Sequence, residues 1–444
     1  MRIIRDMETA RSTLLKRSPA GTVELPPQVS KRISEVFGRK LKAEEVVTRI
    51  AEDIRQRGDA AVFEYIEKLD GVRLERLEVP RDEIESADKK VDKNLLASLQ
   101  IAARRIEDFH LRQLDLLPLG RTELGEGVGQ MLAPLERVGV YAPGGTASYP
   151  STVLMTAIPA RAAGVDEVIL ATPPQSNGHV PPLTLAAAQM AGVDRLFSIG
   201  GAAAIAALAF GAQSVPRVDK ICGPGNIFVM LAKKHLFGTV AIDGLQGPTE
   251  TVVVADDSAN PVSCAADLLA QAEHDELSSA IMITTSESLA GAVSAEVERQ
   301  AGDISRKQIA LKSLEQRGGI VVAGSMDEAV ELVNAYAPEH LCLMVKDADS
   351  VAAGIRHSGG IFIGESSPEV LGDYVAGPSH VMPTGGTARF SSPVNILDFL
   401  KVTSRVELSD DSFKKLGPHA EAIAEAEGLT AHAEAVRKRK GETP

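Results

Sequence analysis

The chain has 444 residues, of which 44% are hydrophobic and 24% charged, and a formal net charge of −13. Such a length exceeds one ordinary core and points to about three units, while the composition is that of a soluble globular protein. The acidic balance argues against general nucleic-acid binding, which needs clustered Lys and Arg.

No apolar targeting segment follows Met1, and no stretch approaches membrane-spanning length, so a cytoplasmic protein without a membrane partner is expected. Up to about residue 130 the chain reads as helical, with apolar positions at helical spacing over Leu41 to Arg57 and Asp92 to Leu111. After Pro134 short β-branched runs (Val138–Tyr141, Glu167–Ala171, Arg195–Ile199, Val218–Cys222) alternate with alanine-rich helical stretches. The pattern restarts at Thr251–Ala255 and continues through Ala280–Thr284, Gly319–Ala323, Leu341–Val345 and Gly360–Gly364. Strand, tight turn and helix in repetition predict parallel sheets with crossover helices. The expected fold is therefore α/β, with two successive Rossmann-like, doubly wound units, a helical N-terminal region and a helical C-terminal extension. The basic run Arg437 to Lys440 reads as a solvated tail.

Three cysteines, Cys222, Cys264 and Cys342, lie far apart without Cys-x-x-Cys spacing, which excludes a disulfide framework and a thiolate zinc finger. Three glycine turns, Ala142–Thr146, Gly200–Gly201 and Cys222–Asn226, each join a predicted strand to a predicted helix. There a phosphate can approach bare backbone N–H groups. None gives the full Gly-x-Gly-x-x-Gly pattern, no acidic residue is evidently placed for a ribose, and each alone also suits a plain βα connection.

Four of the nine histidines sit in short polar clusters. In Gln271-Ala-Glu-His274 the amide and imidazole at i, i+3 share a helix face and can converge on one ion; a solvated helix end is the bland alternative. Asp373 and His380 stand in a Gly/Pro-rich segment, where Asp373 suits an oxygen ligand. His380 suits a ligand, a substrate contact or a loop hydrogen bond. Glu339-His340 opens a strand, and a carboxylate beside an imidazole is an acid–base set. His432 follows Glu427-Gly-Leu-Thr-Ala.

These segments, with Glu136–Gly145, Gly247–Glu250, Tyr336–Leu341, Gly372–His380 and Ala426–His432 taken in order, resemble the L-histidinol dehydrogenase family from about residue 30 onward. The resemblance implies four-electron oxidation of L-histidinol to L-histidine through L-histidinal, the last steps of histidine biosynthesis, with two NAD and one Zn2+ per subunit. By motif, Gln271, His274, Asp373 and His432 would ligate the metal, and Glu339 and His340 would be the catalytic pair. Thr249, Glu427 and His380 would touch substrate alongside His340 and the metal ligands, while Tyr141 and Asn226 would contact NAD. The implied organisation is an arm over 1–30, a helical region over 31–135 packing on the second α/β unit, an NAD-side unit over 136–249, and a metal and catalytic unit over 250–388. The extension over 389–444 would be exchanged in a homodimer with shared active sites. Ala203 stands where the family usually has a Gln, Ser379 where it has an Asn, and Thr249 where it has a Ser. Another amino alcohol or a sulfonated diol is the alternative substrate. A metal-dependent hydrolase without NAD and a non-catalytic metabolite binder are the alternatives of other classes.

Overall fold

The computed structural model describes residues 1–17, 25, 27–144 and 148–440, so Gly145 and Thr146 of the first glycine turn lie outside the described residues. The chain divides into two compact units, one of Met1–Leu114 with Leu135–Phe399, the other of Asp115–Pro134 with Leu400–Pro444.

The larger unit contains two parallel sheets. In the first, the order in space is Arg195–Ser198, Glu167–Thr172, Arg137–Tyr141, Lys220–Cys222, Ala241–Ile242. In the second it is Gly319–Val322, Ser279–Thr284, Glu250–Ala255, His340–Met344, Gly360–Ile363. Numbered along its own stretch of chain, each sheet runs 3-2-1-4-5, and the connection reverses between its first and fourth strands. That reversal is where an open α/β sheet parts its loops to form a crevice. The central strands are buried throughout, which is why they read as unbroken Val/Ile/Leu runs rather than alternating ones.

The N-terminal arm is structured. Ile3–Ile4 adds a parallel edge strand to Gly319–Val322. Asp6 then caps the helix Met7–Ser12 by accepting from the Thr9 amide at 2.7 Å. Ala10, Leu14 and Leu15 are buried in the apolar layer over the second sheet.

The helical region docks differently from the expectation that it packs on the second α/β unit. Helix Ala43–Arg57 buries Val46, Val47, Ile50, Ala51 and Ile54 in one core with Ala202–Ala209 and Val229–Ala232 of the first sheet's helices. The reason is complementary: the helix Gly201–Phe210 is almost wholly apolar and must be covered on its outer side too, and the stripe of helix Ala43–Arg57 covers it. The helix Lys93–Asp115 reaches the segment after the second sheet, Arg105 Nε donating to Val375 O at 2.7 Å.

The smaller unit is a three-stranded antiparallel sheet, Leu400–Val406 beside Val128–Pro134 beside Gly120–Gly125, with helices Asp410–Ala426 and Thr430–Arg437. Both stretches that supply this sheet fall where the sequence pattern predicts helix. Here a hairpin turn closes on Gly127 at φ +72, a conformation that suits glycine. Among the described residues no helix is long and apolar enough to cross a membrane.

Candidate active site

The two sheets offer opposite rims. In the first, Tyr141 ends its strand, Gly200 and Gly201 follow the strand Arg195–Ser198, and Asn226 follows Lys220–Cys222; all line a cleft of about 920 Å3 at the carboxyl edge. The Tyr141 ring is buried, its hydroxyl accepts from the Gly201 amide at 3.1 Å, and burial pushes its pKa up to about 12. Gly223 has φ +120, and a Cβ there would fall 2.1 Å from the Tyr141 carbonyl oxygen, so the turn requires glycine. Asn226 caps the helix Ile227–Leu236, its Oδ1 accepting from Phe228 N at 3.0 Å and Val229 N at 3.2 Å. Beneath the turn, the wholly buried Lys233 is paired with Asp243 and donates to Gln246 Oε1 at 2.8 Å and Gly223 O at 3.0 Å. Ala203 lines the cleft too.

In the second sheet the polar residues gather at the amino edge. Helix Met326–Tyr336 ends in Ala337 at φ 53, ψ 67, the one non-glycine residue with positive φ among the described residues. The chain then turns through Pro338 to Glu339, and His340 begins the strand beside Thr251. Glu339 Oε2 accepts from Thr249 Oγ1 at 2.6 Å and from the Glu250 amide at 2.9 Å. Burial pushes Glu339 up to about 7 against the pull of His340 and these donors. His340 Nδ1 lies 3.3 Å from Glu250 O, and Nε2 lies 3.2 Å from Asp373 Oδ1. Burial disfavours its cation, but Glu339, Asp373 and Glu369 outweigh that and raise His340 to about 10. Asp373 is held below the ordinary carboxylate value despite burial, chiefly by its hydrogen bond to His340.

His380 Nδ1 sits 2.7 Å from Asp373 O and Nε2 3.3 Å from Thr152 Oγ1, and burial lowers its pKa. His274 is exposed just past the helix Pro261–Ala272; the protein around it lowers its pKa against the opposing charge of Asp373. His274, His340, His380 and Asp373 thus stand close enough to influence one another's protonation. Gln271 is buried, and one atom of its side-chain amide has no partner. Among the described residues no three His, Cys, Asp or Glu side chains converge as a metal group. Glu427 and His432 lie in the smaller unit, both exposed, at the end of one helix and within the next. Ser379 donates to Met155 O at 2.9 Å and is buried, so this departure from the family pattern is a structural contact.

Sequence reasoning missed Glu369. It is buried, with Oε2 2.5 Å from Thr251 Oγ1 and 3.8 Å from Cys342 Sγ, and burial pushes it up to about 8. It also missed Asp267, buried with an unpartnered oxygen and pushed up by burial to about 6. A signal was there: Asp267 precedes Gln271, and Glu369 precedes Asp373, by one helical turn each.

A family model for histidinol dehydrogenase matches residues 37–440. Histidinol dehydrogenase of Dehalococcoides mccartyi is 52% identical over 439 residues, covering 99% of this chain and 100% of the relative. That of Deinococcus radiodurans is 48% identical over 424 residues, covering 94% and 95%. The crystal structure of histidinol dehydrogenase from Elizabethkingia anophelis superposes with a TM-score of 0.89 at 35% identity, covering 99% of this chain and 97% of that one. A parallel α/β scaffold with this kinship is an oxidoreductase, which removes the hydrolase and metabolite-binding alternatives. The chain belongs to the histidinol dehydrogenase family.

Proposed function

We propose that the protein oxidises L-histidinol to L-histidine through L-histidinal in histidine biosynthesis, using NAD and one zinc ion per subunit. Kinship along the whole chain carries the substrate, and the run of polar contacts from Thr249 through Glu339 and His340 to Asp373 supports the chemistry. Bound zinc would supply a Lewis acid that anchors the substrate's nitrogens, and NAD would accept hydride.

The donor set fits such a metal. Gln271 is buried with its Nε2, a donor, unpartnered, and its side-chain carbonyl oxygen is the atom that would ligate. His274 has a lowered pKa and is therefore neutral near pH 7, as a metal-ligating imidazole must be. Asp373 is ionised. A mixed N/O set of this kind suits a divalent ion, and His432, from the exchanged C-terminal segment over 389–444 of a homodimer, would complete it. Thr249, His380 and the partner's Glu427 would contact substrate. Tyr141 and Asn226, on the unit over 136–249, would hold NAD in the cleft beside the glycine turns.

His340 Nδ1 faces the Glu250 carbonyl, and once Asp373 is engaged by the metal instead of by Nε2, that nitrogen would be free to take the hydroxyl proton when hydride departs. Glu339, which titrates near neutrality, removes a proton from the water that adds to the aldehyde carbon. The hydrate so formed then loses the second hydride. Counting NADH formed per histidinol consumed tests the proposal. Two supports it, and one or none overturns it.

A further inference from the structure

We propose that Arg17, in the N-terminal arm and ahead of the family-matched span 37–440, is a positioning residue that sets the catalytic pair in place. The inference rests on the role of Glu339 and His340 given above. Arg17 crosses to the amino edge of the second sheet and grips the two backbone stretches that meet there. Its Nε and one terminal nitrogen donate to Tyr336 O at 2.9 and 2.6 Å, and the same terminal nitrogen donates to Ala337 O at 3.1 Å. Its other terminal nitrogen pairs with Glu250 Oε1. The guanidinium carbon lies 3.5 Å from the centroid of the Tyr336 ring.

Both grips lead directly to the pair. Tyr336 and Ala337 close the helix whose left-handed last residue turns the chain into Pro338 and Glu339. Carbonyls at a helix end have no intrahelical donor, and a guanidinium is the side chain that can serve two of them while holding a carboxylate. Glu250 is the residue whose main-chain amide donates to Glu339 Oε2 and whose main-chain oxygen faces His340 Nδ1. A shift of its side chain therefore moves the partners of both catalytic groups at once. The arm is anchored independently of Arg17, by the edge strand Ile3–Ile4 and by buried Ala10, Leu14 and Leu15, so the guanidinium is delivered from a fixed base. A lysine cannot reproduce the grip, because one ammonium does not span two carbonyls and a carboxylate with planar geometry.

The test compares wild type with Arg17→Gln, Arg17→Lys and, as a control on the same arm, Arg11→Ala, whose ion pair with Glu331 is exposed. Misplacing reacting groups by about 1 Å costs on the order of 10²-fold. Arg17→Gln is thus expected to lose roughly that much kcat, with the KM for NAD within about twofold; because buried Glu250 also loses its partner and the melting point falls, kcat is compared well below the melting point of each variant. Arg17→Lys recovers only part of the loss, and Arg11→Ala stays near wild type. Millimolar guanidinium ion added to Arg17→Gln restores part of kcat, which a general loss of folding would not permit. An Arg17→Gln enzyme that keeps at least half of wild-type kcat overturns the inference. If Arg17→Gln does not fold, Arg17→Lys decides: full activity there overturns it, and a selective kcat defect supports it. Wild-type enzyme forming no NADH from histidinol overturns the functional reading instead.

Discussion

Thr249 Oγ1 donates to Glu339 Oε2 at 2.6 Å, so the side chain just before one central strand supports the carboxylate just before its neighbour. Hydrogen bonding to the ionised form opposes the burial that lifts Glu339 to about 7. Thr249→Val keeps the shape and deletes the donor. Hydrogen bonds to charged groups contribute about 1.5–3 kcal/mol, so the aldehyde step should slow about tenfold or more at neutral pH. Its pH profile should also move to higher pH, whereas Thr249→Ser should stay near wild type. Pre-steady-state turnover of L-histidinal from pH 6 to 9 checks this; an unshifted profile in Thr249→Val refutes it.

Glu369 links protonation to stability. Its pKa rises from the ordinary 4.5 to about 8 in the folded chain because it is buried. A raised value means that the folded state holds the proton more tightly. The stabilisation is therefore complete below about pH 4.5 and is lost as pH climbs through about 8. Glu369→Gln mimics the protonated acid and has no proton to lose. In metal-free protein, wild type should lose melting temperature relative to Glu369→Gln between pH 5.5 and 8.5. A difference that does not change with pH argues against a buried, neutral Glu369.

Lys233 and Asp243 form an ion pair with both side chains about 1% exposed. Removing one partner of a buried pair leaves an uncompensated charge and costs about 3–5 kcal/mol. Lys233→Met should lower stability by that amount in urea titration and raise the KM for NAD, because Lys233 also holds Gly223 O under the cleft. Adding Asp243→Leu should return part of the stability by removing the lone buried charge, but not all of it, because the Gly223 and Gly244 amides lose their acceptor, and it should not restore the KM. Equal stability of Lys233→Met and wild type would contradict the pairing.

Asp373 and His432 test subunit exchange. Asp373→Ala and His432→Ala homodimers should each be inactive and poor in zinc. In a mixed dimer with exchanged segments, one site collects both substitutions and the other none. Co-refolding should then restore about a quarter of wild-type activity, as statistical pairing of a two-fold dimer requires. Activity that stays at the level of the single variants after co-refolding excludes the exchange.

Much of the scaffold was legible because strands buried on both faces write themselves as Val/Ile/Leu runs, as in Glu250–Ala255 and His340–Met344. Periodicity, however, says which face of a helix is apolar and not what it meets, so the partner of helix Ala43–Arg57 on the first sheet is not legible from it. The hairpin Gly120–Pro134 escaped notice because its first strand is mostly exposed and carries little apolar alternation. Gln271, His274 and Asp373 stood out as unusual residues in short clusters. Glu369 and Arg17 did not, since a glutamate opening a helix and an arginine in an arm read as solvated until the fold buries one and extends the other across the sheet.

Two sheets of the same 3-2-1-4-5 order present different rims, the first its carboxyl ends and the second its amino ends. Repetition of an architecture therefore did not carry the placement of its cleft and polar cluster with it. Grafting loops between equivalent positions of the halves would thus transplant connections without transplanting the polar groups that each rim carries.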